Sequence, residues 1–293
     1  MSVDSITLRQ GASGTSILLM VLAMALVPMI DVQAKLLVVG GLPAMQVVFL
    51  RMLCGTLLLF PLMLKSRPGE IIPPQGWRNA SLLGLFSILG GFFFFGALKY
   101  LSIADTVAIS FVQPLFVTLF SNLFLKERVG ASRWIALVVG FCATLLIIRP
   151  SFASTDIGSF LALGAGLSMA CYAIVVKKGT IGVRRVSPIT LCFQTHFTAV
   201  AVAAPVVIFF WNTPSLFQWA IVLGMTLVGL VGQYLIIKAY DLGDASLVAP
   251  FAYIEIITST MVSWFFFREI PDHITFAGVA ILICSSLYIA WRR

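Results

Sequence analysis

In a chain built mostly of apolar runs, the side chains able to do chemistry are Arg51, Tyr100, Gln113, Gln194, His196, Gln233, Tyr234, Tyr253 and Glu255. Ionisable groups at the centre of a membrane-spanning helix cost at least ~2.5–3.5 kcal/mol each, so they persist where they face protein or water. Glu255 lies too far from either end of its apolar run to reach water by extension. Arg51, Gln194 and His196 lie at intermediate depth, Gln113 near a run's middle, and Gln233 and Tyr234 in the last third of theirs. A carboxylate suits a positive group and a guanidinium or imidazole suits a negative one; amides and phenols supply hydrogen bonds. That set recognises a small polar molecule rather than making or breaking its bonds. No HExxH or GxSxG motif occurs. Asp241 and Asp244 share one short loop, a poor arrangement for aspartyl catalysis within the membrane.

The same residues admit structural roles. Gln113 and Gln194 suit helix–helix hydrogen bonding, His196 suits packing, and Glu255 could pair with Arg51 or His196. Asp31 and Lys35, spaced i,i+4, suit a local ion pair. Lys99, Lys177, Lys178 and Lys238 stand near run ends, where long stems carry the ammonium to water. Tyr100, Tyr172, Tyr234 and Tyr253 carry hydroxyls that want partners. Tyr253 and Glu255 sit two apart, about 200° around an ideal helix, so both face inward only if the helix is distorted, as Pro250 would allow.

The elements that must position these groups follow from composition. The chain of 293 residues is 60% hydrophobic and 10% charged, with mean hydropathy +1.05. Soluble domains carry roughly 25% charged residues, so this is an integral membrane protein. Its net charge of +8 reflects basic residues flanking spans, not a nucleic-acid partner. The five cysteines lie in apolar runs without a CxxC pair and read as small buried hydrophobes. No metal site and no cofactor are expected.

A spanning helix needs about 20 mostly apolar residues. Ten stretches qualify: 16–38, 44–64, 78–98, 104–125, 132–149, 158–178, 188–210, 217–238, 245–267 and 273–291. An all-α, ten-span bundle is therefore expected. The tryptophans lie near proposed span ends, where amphipathic rings prefer the headgroup level. Of the 19 Lys and Arg, 14 fall on the side holding both termini, 4 on the other, and Arg51 within a span. By the positive-inside rule both termini are cytoplasmic. A secretory signal ending at Val32-Gln33-Ala34 is the rival reading of the first stretch; cleavage there would remove part of the internal match described next.

The chain matches itself at an offset of about 142 residues. Lys35 meets Lys177, Lys126-Glu127 meets Arg268-Glu269, and Cys142 meets Cys284; small slips align Tyr100 with Tyr240 and Arg51 with His196. Residues 1–150 and 151–293 thus form two five-span repeats. An odd number of spans inserts the second copy upside down, an architecture of secondary transporters.

Ala97-Leu98-Lys99-Tyr100, Ala104-Asp105-Thr106-Val107, Gln113-Pro114 and Lys126-Glu127, with Ala239-Tyr240, Asp244–Pro250 and Arg268-Glu269, resemble the ten-span EamA type of the drug/metabolite transporter superfamily. The likeness covers nearly the whole chain and is greatest to bacterial inner-membrane exporters of aromatic and other neutral amino acids. One departure is that the counterpart of Pro114 is Ile256, with Pro250 and Glu255 nearby. The resemblance implies alternating-access export by a non-enzyme in the inner membrane. The expected partners are a small-molecule substrate and the bilayer, with the chain acting as a monomer. Efflux of drugs or nucleobase-like metabolites by the same fold is the alternative, followed by a membrane-embedded enzyme.

Overall fold

A computed structural model describes residues 3–101, 103–127, 129–148, 157–180 and 186–267, with isolated positions 277, 280, 281 and 284 beyond. Every long apolar run among them is helical, and no strand occurs among the described residues. In a solvent without hydrogen-bonding partners, a helix satisfies its backbone within itself. The helices are α1 (Val3–Val39), α2 (Ala44–Ser66), α3 (Trp77–Ala97), α4 (Ile103–Ser110), α5 (Gln113–Leu125), α6 (Ala131–Ile148), α7 (Ile157–Thr180), α8 (Pro188–Val207), α9 (Leu216–Leu242), α10 (Ala245–Val248) and α11 (Ile254–Phe267). Six of them, α1, α2, α3, α7, α8 and α9, carry apolar segments long enough to cross a bilayer. The expected tenth span, 273–291, lies almost wholly outside the described residues.

Two expected spans are not continuous. The stretch 104–125 divides into α4 and α5 at Phe111 and Val112, and 245–267 divides into α10, a 3-10 segment Ala249–Tyr253, and α11. A proline lies beside each break. Pro114 stands in the first turn of α5 and Pro250 in the first turn of the 3-10 segment; neither can donate to the carbonyl four residues upstream. At the first break Ser110 turns its hydroxyl to the Ala162 carbonyl at 3.0 Å. Gly166 permits that approach, since a β-carbon there would lie 2.5 Å from the Ser110 carbonyl oxygen.

The two halves interlock. Helix α1 runs along α9 and α3 along α7, while α2 packs on α8; α3 against α8 is matched by α2 against α9, and α4 and α5 against α7 by α11 against α1. Exchanging the halves maps this pattern onto itself. Helix α9 serves as a ruler. At its start Gln218 donates to the Gly40 carbonyl beyond α1 at 3.1 Å, and Asn212 bonds both Gln46 and Gly41. At its finish Lys177 of α7 donates to the carbonyls of Tyr240 at 2.8 Å and Gly243 at 2.6 Å. The C-terminal ends of α1 and α7 therefore lie at opposite ends of α9.

Lys177 corrects the expectation that its ammonium reaches water. It is 7% exposed, because the last carbonyls of α9 offer a nearer partner with negative partial charge. Lys177→Met would strand those carbonyls, and hydrogen bonds to charged groups contribute about 1.5–3 kcal/mol each. A clear fall in the thermal midpoint of the detergent-solubilised protein is expected, with partial recovery in Lys177→Arg. An unchanged midpoint would show that the buried ammonium is not a tie.

Two further ties join the halves. Glu127, at the end of α5, accepts from the Ala245 backbone N–H at 3.1 Å, where α10 begins, as a carboxylate at a helix start should. In the loop after α2, the Glu70 carboxylate accepts from Arg67 at 2.6 Å and from Thr190 and Ser187 at the start of α8. Partial burial pushes the Glu70 carboxyl up, but the hydrogen bonds from Thr190 and Arg67 and the Arg67 charge outweigh it and hold it below the usual carboxylate value. Its contribution is present above that usual value and fades as pH falls through the lowered one. Acid titration of the unfolding midpoint should therefore be shallower in Glu70→Gln.

Candidate functional site

A cavity of about 190 Å³ opens between the halves. Helix α1 lends it Asp31, Met20 and Met24; α2 lends Arg51, and α3 lends Ser87, Phe94 and Phe95. Ser110, Phe111 and Gln113 come from the first helix break, and Ala252 and Glu255 from the second. Tyr172 and Met169 of α7 and Gln233 and Tyr240 of α9 complete the polar and soft apolar wall. Both breaks thus face one space, where freed backbone groups are tolerated because they line a cavity rather than lipid.

Of the expected site residues, Arg51, Gln113, Gln233 and Glu255 meet here. The Gln233 amide donates to the Tyr172 hydroxyl at 2.9 Å, and that hydroxyl lies 3.4 Å from Thr195 Oγ1. Arg51 has a buried Nε without a hydrogen-bond partner. The cavity adds a residue that the sequence reading assigned elsewhere. Asp31 forms no ion pair with Lys35 among the described residues; it lines the cavity, is 3% exposed, and leaves Oδ2 unpartnered. Arg51 attracts Asp31, while Asp31 and Glu255 repel one another.

The remaining expected residues stand elsewhere, each for a visible reason. Gln194 is buried but donates to the Glu70 carbonyl at 3.2 Å and accepts from Gln75, tying the loop after α2 to α8. His196 donates Nδ1–H to the Cys192 carbonyl at 2.8 Å, and its ring packs on Gly55. Tyr234 follows Gln233 by one residue, so it points about 100° away and lies exposed on the outer face of α9. Tyr100 is exposed in the turn after α3. Tyr253 is fully buried, lies against Phe111 with the rings tilted at 31°, and donates to the Leu137 carbonyl at 3.2 Å. The angular conflict between Tyr253 and Glu255 is resolved in favour of Glu255.

The model of the EamA-like transporter family matches residues 14–149 and again 156–291. The chain belongs to the EamA-like transporter family. It is 30% identical over 252 residues to the pseudopaline exporter CntI of Pseudomonas aeruginosa, covering 84% of this chain and 86% of that one. It is 26% identical over 252 residues to an S-adenosylmethionine uptake transporter of Rickettsia bellii, covering 86% and 85%. To a riboflavin transporter of Vibrio cholerae it is 27% identical, covering 85% and 83%. A crystal structure of a protein with 18% sequence identity superposes with a TM-score of 0.77 over 95% of this chain and 98% of the other, which speaks to the fold alone. This EamA-family chain is thus a multi-pass membrane transporter of small metabolites. The similar proteins do not single out amino-acid export.

Proposed function

We propose that this chain is a secondary transporter that moves a small metabolite through the shared cavity by alternating access, in the inner membrane and with both termini cytoplasmic. The observation carrying this reading is that both helix breaks and the charged side chains Asp31, Arg51 and Glu255 face one space built by both halves. The two units, 1–150 and 151–293, are read as inverted repeats. The exchangeable packing supports this, and so do the opposed ends of α1 and α7 along α9. Two like bundles rocking about a midplane site expose it to each side in turn. One chain supplies both halves, so a monomer suffices.

The wall of Phe94, Phe95, Phe111 and three methionines suits an apolar or aromatic body, and the charged groups suit a polar head. Aromatic or neutral amino acids fit that description, as do other metabolites with a charged head and an aromatic part. A thermal-shift screen of purified protein against metabolites, followed by counterflow in proteoliposomes, tests the reading. Saturable exchange of a stabilising compound is expected. Non-saturating flux, or turnover of lipid or peptide, would overturn it.

A further inference from the structure

We propose that Asp31 and Glu255 form a cation site: the pair seats the positively charged group of the metabolite and, when that group is absent, holds one proton. This rests on the transport reading above and assigns its substrate charge and its coupling. Among the described lining residues the charged groups are the carboxyls of Asp31 on α1 and Glu255 on α11 and the guanidinium of Arg51 on α2. With both carboxyls ionised, the cavity carries one uncompensated negative charge, an unfavourable state in a poorly hydrated interior. One proton neutralises it, and so does one positive substrate group. The loaded and empty cavities are then both neutral, and the proton leaves to the water on the open side as the cation enters.

No other described lining group competes for this role. Tyr172 on α7 is engaged with Gln233 and Thr195, Tyr240 on α9 is a phenol, and α3, α4 and α5 contribute Ser87, Ser110 and Gln113. Behind Arg51, α8 places His196 and Cys192, whose own hydrogen bond runs along the helix. The unpartnered Asp31 Oδ2, buried and facing the cavity, is the atom left for a cation. The neighbouring Phe94, Phe95 and Phe111 rings and the Met20, Met24 and Met169 thioethers are polarisable surfaces that favour a cation over an anion.

The test is infrared spectroscopy of the reconstituted full-length protein at neutral pH, reading the protonated-carboxyl band. Wild type should show one such buried carboxyl. Asp31→Asn and Glu255→Gln should each abolish it, because the remaining carboxylate is then balanced by Arg51. Two cationic probes, S-adenosylmethionine and phenylalanine amide, should release about one proton on binding and lose affinity about tenfold or more in either variant, the scale of one charge-assisted contact. Neutral riboflavin should release none. Absence of the band in wild type, its persistence in both variants, or cation binding without proton release would overturn the cation site. Counterflow of a neutral metabolite would stand in each of those cases, so the transport reading fails or survives separately. If no probe binds, the band alone decides.

Discussion

Replacing Arg51 with methionine is expected to abolish transport and to lower stability by about 3–5 kcal/mol, the penalty for removing one partner from a buried ionic group. The guanidinium is the one positive charge among the described cavity-lining residues, which also include the carboxyls of Asp31 and Glu255. Its loss leaves the one negative charge of the Asp31 and Glu255 pair without compensation in a poorly hydrated interior. The effect should be non-additive with its partners. Combined with Asp31→Asn, the change should recover much of the unfolding midpoint without recovering transport. Midpoints of the two single variants and the double variant, measured in detergent, check this. Strictly additive losses would mean that Arg51 and Asp31 do not interact.

Gly229→Leu is the second large expected effect, and it acts on transport rather than on folding. Gly229 lines the cavity on α9, and a β-carbon there would sit 2.9 Å from Arg51 Nη1. The obstacle is the far end of a flexible side chain, so the helix survives while the guanidinium is pushed across the cavity. Displacement of a packed group costs about 1–3 kcal/mol, which converts to roughly a tenfold to hundredfold loss of substrate affinity. Gly232→Leu, three residues on with nothing near its would-be β-carbon, serves as the control and should transport normally. Equal rates in Gly229→Leu and wild type would show that transport does not pass this point.

Much of the architecture was legible because a membrane helix advertises itself by length and apolarity. The interruptions were less so. Pro250 was readable as a bend, whereas the break before Pro114 depends on Ser110 finding the Ala162 carbonyl and on the space at Gly166, which are contacts with a helix of the other half. Cavity-lining residues were legible where a polar group stood alone in an apolar run, as with Arg51, Gln113, Gln233 and Glu255. The same signal also selected Gln194 and His196, whose partners are the loop after α2 and their own helix. A single sequence does not distinguish a side chain facing a cavity from one tying two elements together.

Asp31 was hidden by a plausible local partner. Its i,i+4 spacing to Lys35 satisfied a rule drawn from isolated helices, while tertiary packing placed Asp31 on the wall of the cavity that Arg51 also lines. Lys177 was hidden similarly, since a lysine near a span end ordinarily reaches water. In both cases the deciding partner lies on a helix far along the chain. The packing between halves that makes the cavity is what the sequence concealed.

The central claim, that one cavity between the halves is exposed to each side of the membrane in turn, is tested most directly at Ser110, which lines the cavity at the first helix break. With the five native cysteines replaced, Ser110→Cys would be exposed to a membrane-impermeant thiol reagent from either face of oriented vesicles. Modification from both faces is expected, slowed by a transported metabolite and followed by loss of transport. Modification from one face only, whether or not substrate is present, would contradict it.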